Sequence, residues 1–228
     1  MLYTEEAVRA GLRVRDGRRV FYLPEGSRLT PAARDWLRQE GVTVVPHAET
    51  PPAAYRTPDG AAFAEKPEHM THLRGNILVP KTHPRIAFRG GIDTLEAELL
   101  LCAQAADGPL RQTLCAMLDF VRSLIRADVL DEPVQAVRFL GLDDDGLREH
   151  SHHPEREEGQ PHFLPAPDDP PILLRLNRLR TAVRQTELLA CHAFSRPDGT
   201  LARPDLVRAL NRLSSLCWIL MIREKKNA

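Results

Sequence analysis

Apolar residues in the second half of the chain recur at spacings of three and four, the period of an amphipathic helix. The clearest stripe comprises Leu110, Leu114, Leu118, Val121, Ile125 and Val129. The pattern predicts five helices, over residues 93–106, 110–129, 143–150, 171–194 and 204–223. Four long helices with short connections favour an antiparallel bundle, so the expected fold class is mainly α, a four- or five-helix bundle.

The N-terminal region follows another pattern. Residues 20–23 and 42–45 are short apolar runs typical of strands. Between them, Thr30 is placed to cap a helix that extends to about Gln39, with Pro31 at its first position. We therefore expect a small α/β extension before the bundle.

Composition divides the chain into three parts. Residues 1–47 are predicted to form the small α/β module. Residues 48–68 are rich in proline and alanine and are predicted to be a linker. Residues 69–228 are predicted to form the helical-bundle domain.

The charge balance bears on the class of partner. Thirty-one basic side chains match thirty-one acidic ones, which gives no general attraction to nucleic acid. No apolar run reaches the roughly 20 residues that cross a bilayer, and the N-terminus lacks the pattern of a secretion signal. We expect a cytoplasmic protein that binds neither nucleic acid nor membrane.

Three charged residues share one face of the helix predicted over residues 171–194. Arg180, Arg184 and Glu187 are four and three residues apart. Two guanidinium groups on one face can bind a polyphosphate, because their forked donors match phosphate oxygens. The alternative is a solvated face with one Arg–Glu pair.

Polar residues also interrupt the apolar stripe of the last helix. Asn211, Ser214 and Ser215 are flanked by apolar positions, and a buried polar group without a partner costs about 1–3 kcal/mol. The partner is either another helix or a ligand.

Lys81, Arg85 and Asp93 lie at or just before the first predicted helix. Lys81 is placed to reach a phosphate over the bundle end, although a surface lysine is the simpler interpretation. Asp93 is predicted to neutralise Arg180 or Arg184 across the core, since a buried arginine without a partner is costly.

Histidines cluster at His150, His152, His153 and His162, but their spacing is not that of a specific metal site. The chain contains no GxxxxGK[ST] or GxGxxG phosphate loop and no HExxH or GxSxG motif. A nucleotide would therefore bind to a surface of the bundle.

Together these segments resemble the ATP:corrinoid adenosyltransferases of the human and propanediol-utilisation type. Residues 180–187, RTAVRQTE, are similar to the family's RTVCRRAER, and residues 210–215, LNRLSS, are similar to its LNRLSD. The closest likeness is to the ethanolamine-utilisation branch, in IRADVLDEP at 125–133 and GLDDDGL at 141–147, and it extends over nearly the whole chain.

The resemblance implies roles for particular residues. It places Lys81, Arg184, Glu187 and Asn211 on the family's ATP-contacting positions. It places Arg180 and Asp93 on positions that organise the site through a salt bridge. His162 or Phe163 takes the place of an aromatic residue that helps to displace the lower axial ligand of cobalamin.

The chain departs from the family pattern at three points. Gln185 and Leu188 replace two arginines, and PEHMTHL replaces a glycine-rich ATP loop. Residues 47–70 contain no cysteine, whereas ethanolamine-branch members often carry a cysteine cluster there. We therefore expect no structural transition metal, only ATP with Mg²⁺ and cobalamin.

The implied reaction is attack by Co(I) on the 5′ carbon of ATP, which yields adenosylcobalamin for use by ethanolamine ammonia-lyase. The alternative is a non-catalytic corrinoid carrier or assembly module. The resemblance further implies a homo-oligomer, with a trimer suspected, a cobalamin reductase as a partner and association with a microcompartment.

Overall fold

The computed structural model describes residues 1–15, 18–47 and 54–227. Its chain divides into two units, Met1–Lys66 and Pro67–Ala228. The predicted linker, residues 48–68, is described only from residue 54 onward, and residues 54–66 group with the first unit.

The first unit is a small α/β structure. Its strands are β1 (Leu2–Tyr3), β2 (Arg13–Arg15), β3 (Arg18–Pro24), β4 (Arg28–Leu29), β5 (Thr43–His47), β6 (Tyr55–Arg56) and β7 (Ala62–Phe63), and its helices are α1 (Glu5–Ala10) and α2 (Pro31–Gln39). Strand β3 pairs antiparallel with β2 and parallel with β5, and α2 makes the crossover between β3 and β5. The Thr30 hydroxyl accepts a hydrogen bond from the Ala33 amide, the cap that the sequence predicts.

The second unit begins with a hairpin and continues as helices. Its elements are β8 (Met70–Arg74), β9 (Ile77–Pro80), α3 (Pro84–Gln104), α4 (Gly108–Leu130), α5 (Asp144–His152), α6 (Pro154–Glu158), α7 (Pro171–Phe194) and α8 (Pro204–Asn227). Helix α7 packs against α3 and α8, and α3 also packs against α4. The mainly helical fold is confirmed. No helix in the described part of the chain combines the length and apolarity needed to cross a bilayer.

Contacts between α3 and α7 show that these helices are antiparallel. Thr186 Oγ1 donates to the Gly91 carbonyl at 3.2 Å, and Arg178 Nε donates to Glu98 at 2.8 Å. Residues later in α3 therefore contact residues earlier in α7. Gly91 permits this approach, because a Cβ there would lie 2.8 Å from the Leu189 side chain.

Helix α3 begins nine residues before the predicted start. His83 caps it by accepting from the Arg85 amide, and Pro84 occupies the first turn. Gly90 and Gly91 interrupt the apolar periodicity that marks a helix in sequence, and tertiary packing overrides their low helix propensity.

A buried carboxylate joins three elements at one end of the bundle. Asp128, near the end of α4, accepts from Arg85 Nε at 3.0 Å and from Arg89 Nε at 2.7 Å. Arg89 also donates to the carbonyls of His72 and Leu73 in β8. This network connects strand β8 of the hairpin to the start of α3 and the end of α4.

Candidate active site

A cleft of about 460 Å³ opens between α7, α8 and the segment that follows α6. We call it the central cleft. Its lining residues are Ser151, His152, His162, Phe163, Leu164, Pro165, Arg180, Arg184, Asn211, Ser214, Ser215 and Trp218. Five of the predicted site residues, from two helices and a loop, therefore meet in one place.

Two arginines of α7 lie in this cleft without a carboxylate partner among the described residues. Arg184 is exposed, one helical turn beyond the half-buried Arg180. Arg180 Nε is buried and has no hydrogen-bond acceptor in the described part of the chain. Burial, and then the positive charge of Arg184, lowers the pKa of Arg180. Such a pair is arranged to receive an anion.

An aromatic stack forms the other side of the central cleft. The Phe163 ring stacks on Trp218 with centroids 5.1 Å apart, and the His162 ring stacks on Trp218 at 5.7 Å. The Arg180 guanidinium carbon lies 5.4 Å from the Trp218 ring centroid, a cation–π contact. Trp218 thus joins the cationic and aromatic parts of the cleft.

Basic residues near the end of α8 hold the segment over residues 158–169, which we call the Phe163 segment. Arg223 donates twice to the Glu158 carboxylate, at 2.9 Å each, at one end of the segment. At the other end, Lys225 Nζ contacts Asp169 Oδ1 at 2.5 Å. The hydrogen bond from Lys225, supported by the Ala166 amide, lowers the pKa of Asp169. The segment is therefore fixed at both ends.

Asn211 lies where the central cleft meets a second depression of about 480 Å³, which Glu187 also lines. Asn211 Nδ2 donates to Glu187 Oε1 at 3.0 Å, and Arg212 Nη1 donates to Asn211 Oδ1 at 2.7 Å. One polar network therefore joins α7 and α8 at the rim of the cleft.

Comparison with known proteins identifies the family. A family model described as cobalamin adenosyltransferase matches residues 62–224. The chain belongs to the cobalamin adenosyltransferase family. This confirms the family and the enzyme class predicted from the sequence.

Two relatives of this adenosyltransferase family are similar over almost the whole chain. Corrinoid adenosyltransferase EutT of Salmonella typhimurium strain LT2 is 30% identical over 242 residues, which cover 96% of this chain and 90% of that protein. EutT of Escherichia coli K12 is 31% identical over 243 residues, with the same coverage.

Solved adenosyltransferases share the fold. A variant of the PduO-type ATP:corrinoid adenosyltransferase of Lactobacillus reuteri, complexed with cobalamin and ATP, has a TM-score of 0.53 at 16% identity, covering 70% of this chain and 91% of that one. Another variant, complexed with ATP, has a TM-score of 0.54 at 15% identity, covering 68% and 89%.

Two predicted site residues of this family member line neither the central cleft nor the second depression. Lys81, at the end of β9, is exposed and forms an ion pair with Glu68 at 2.9 Å. Within the single chain Asp93 does not bridge to Arg180 or Arg184: Asp93 is exposed and forms no ion pair with any described residue. The carboxylate of α3 that does pair with α7 is Glu98, and its partner is Arg178. The residue spacing correctly predicted that a carboxylate of α3 pairs with an arginine of α7, but it did not predict which face of α3 meets α7.

The histidine cluster separates into distinct environments. His152 and His162 line the central cleft, whereas His150 Nδ1 lies 2.8 Å from Glu158 Oε1. Within the described ranges, no three side chains of the His, Cys, Asp and Glu types group as a metal site.

Trp218 is the site residue that the sequence analysis missed. A signal was nevertheless present. Asn211, Ser214 or Ser215, and Trp218 follow one another at spacings of three and four, which places Trp218 on the polar face of that helix.

Proposed function

We propose that this chain transfers the 5′-deoxyadenosyl group of ATP to the cobalt of reduced cobalamin, which gives adenosylcobalamin. The central observation is that Arg180 and Arg184, which pair with no carboxylate among the described residues, share one cleft with the stacked rings of His162, Phe163 and Trp218. A polyphosphate needs cations, and a corrinoid ring offers a broad apolar face. The family and the names of its relatives support the same reaction.

The reaction requires no covalent bond between the protein and either substrate. The reduced cobalt of the substrate is the nucleophile, so no Ser or Cys nucleophile is needed. The chain positions the two substrates and stabilises the negative charge that gathers on the departing phosphate chain, which enters with Mg²⁺. Arg184, which is exposed to the cleft, is assigned to the phosphates, together with Glu187 and Asn211 as contacts to ATP.

The aromatic stack is assigned to the corrinoid. Rings held against Trp218 present an apolar surface that excludes water from one face of the ligand. Either Phe163 or His162 is then placed to displace the lower axial ligand, which makes Co(II) easier to reduce.

The decisive experiment mixes the purified protein with ATP and chemically reduced cobalamin and follows the absorbance spectrum. Appearance of the light-sensitive carbon–cobalt product only when ATP is present supports the proposal. Tight binding of corrinoid without that product would favour the second candidate, a non-catalytic corrinoid carrier or assembly module. Gln185 and Leu188, in place of two arginines, are the observations that favour this candidate.

We further propose that the chain acts as a homo-oligomer, with a trimer expected. Within the described residues Asp93 is exposed without an ion pair, and Arg180 lacks an acceptor for its Nε. Two copies can supply these groups to each other. Sedimentation should show that Arg180→Asp weakens assembly and that adding Asp93→Arg restores it. Unchanged assembly in Arg180→Asp would refute the pairing.

The pathway is also a proposal. Likeness to the ethanolamine-utilisation branch supports a cytoplasmic or microcompartment-associated enzyme that receives electrons from a cobalamin reductase and supplies ethanolamine ammonia-lyase. Co-purification of the lyase with the tagged chain, tested with and without bound adenosylcobalamin, measures that association.

A further inference from the structure

Arg212 is a buried cation that forms an ion pair with α5 and a hydrogen bond within α8. Arg212 is only 8% exposed, although it is next to the exposed Asn211 in α8. Its Nε lies 3.1 Å from Asp144 Oδ2 on α5, an ion pair without hydrogen-bond alignment, and its Nη1 donates to Asn211 Oδ1. Burying a guanidinium is unfavourable unless such acceptors compensate for lost water. Arg212 therefore connects α5 to the rim of the central cleft.

These contacts leave the Asn211 carboxamide one orientation. Arginine only donates hydrogen bonds, so the Asn211 oxygen must face Arg212. The amide nitrogen then faces Glu187, whose ionised carboxylate only accepts. Flipping the amide would put donor against donor and acceptor against acceptor.

We propose that Arg212 and Asp144 are positioning residues for the nucleotide site. Asp144 fixes Arg212, Arg212 fixes the Asn211 carboxamide, and Asn211 fixes the Glu187 carboxylate. Arg212 and Asp144 lie outside the central cleft and line the second depression with Asn211 and Glu187. We assign both to positioning through Asn211, because their contacts lead to its carboxamide. The inference rests on the proposed function for the identity of the ligand as ATP.

Asp144 offers the better test, because its side chain is partly exposed, whereas replacing Arg212 would remove a buried side chain of α8. Asp145→Ala is the matched control: both aspartates lie in the first turn of α5, so both variants lose the same charge at the helix N-terminus. Asp145 is exposed and forms no ion pair in the described part of the chain. Calorimetric titration should show ATP binding about tenfold weaker in Asp144→Ala, the loss of one well-placed polar contact, and within about twofold of wild type in the control.

A double-mutant cycle separates positioning from general destabilisation. Once Asn211→Ala removes the group to be positioned, Asp144→Ala should weaken ATP binding no further. Additive losses in the double variant, or equal losses in Asp144→Ala and Asp145→Ala, would overturn the inference.

A second readout does not depend on ATP. In protein labelled with ¹⁵N-asparagine, Asn211→Ala identifies the side-chain amide signals of Asn211. Asp144→Ala should shift them, and Asp145→Ala should not. If the wild-type chain binds no ATP, the proposed function fails, while this shift still decides whether Asp144 orients Asn211. If Asp144→Ala leaves the Asn211 side-chain amide signals unchanged, the positioning role is refuted whatever the ATP result.

Discussion

Replacing Arg184 by alanine is expected to separate nucleotide binding from stability. Arg184 is exposed and has no ion pair with any residue that the structure describes, so its removal breaks no observed polar contact. It also relieves repulsion of Arg180, one turn away, worth about 0.2–0.5 kcal/mol for like charges at this spacing. The free energy of unfolding should change by no more than about 0.5 kcal/mol, which shifts the melting temperature by about 2 °C or less in a chain of this size.

The effect on ATP should be much larger. A hydrogen bond to a charged group contributes about 1.5–3 kcal/mol, so losing the Arg184–phosphate contact weakens ATP binding about 10- to 150-fold. Catalytic efficiency should fall to a similar extent if the contact persists as the phosphate chain departs.

Calorimetric ATP titration and thermal melting of the same samples test this reasoning. Arg175→Ala is the control, since Arg175 is also exposed on α7, carries the same charge and lies outside the central cleft. It should leave ATP binding unchanged. Equal losses in both variants would mean that only the overall charge of α7 matters. Wild-type affinity in Arg184→Ala would remove the phosphate site from this face of α7.

Four further outcomes are expected. Phe163→Ala should impair product formation from Co(II) more than from preformed Co(I), because only the first needs the axial ligand removed; equal losses would contradict this role. Asp169→Asn should lower the melting temperature at pH 7 and make the melting temperature fall less in acid. The pKa of Asp169 is lowered in the folded chain, so its stabilising effect is present above the ordinary pKa of 3.8 and is lost as the pH falls through the lower folded pKa. If the wild type and the variant lose melting temperature in parallel, the Lys225 contact is not stabilising. Removing zinc and iron while keeping Mg²⁺ should leave turnover intact, since residues 47–70 contain no cysteine, and a stoichiometric metal required for activity would refute this. Deleting residues 1–45 should leave a helical protein by circular dichroism, and an unfolded product would show that the predicted module boundary is misplaced.

The long helices of the bundle were the most predictable part of the fold. Helix α7 has the predicted bounds, and α8 begins at the predicted Pro204, because each combines an apolar period with a proline at its start. Helix α1 was missed because it has only six residues and buries one of them, Val8, which is too short a stripe to detect. Helix α6 was missed for a similar reason, within a polar segment rich in proline.

The cationic face of α7 was predictable because Arg180 and Arg184 are neighbours on one helix. The pairing of Asp93 was not, since it depends on how two helices are rotated about their axes, and spacing within one helix carries no information on that rotation. The contacts of Trp218 with His162 and Phe163 join positions more than fifty residues apart, a distance over which sequence patterns give no register.

The way in which α8 holds the Phe163 segment sets an order of assembly during synthesis. Arg223 follows its partner Glu158 by 65 residues, and Lys225 follows Asp169 by 56. The aromatic segment is therefore synthesised before the side chains that hold it, and contacts so distant in sequence form late in folding. Arg180 and Arg184 can take their places on α7 while Phe163 still lacks Trp218. The nascent chain thus completes the aromatic side of the cleft last, once almost all of α8 has been made.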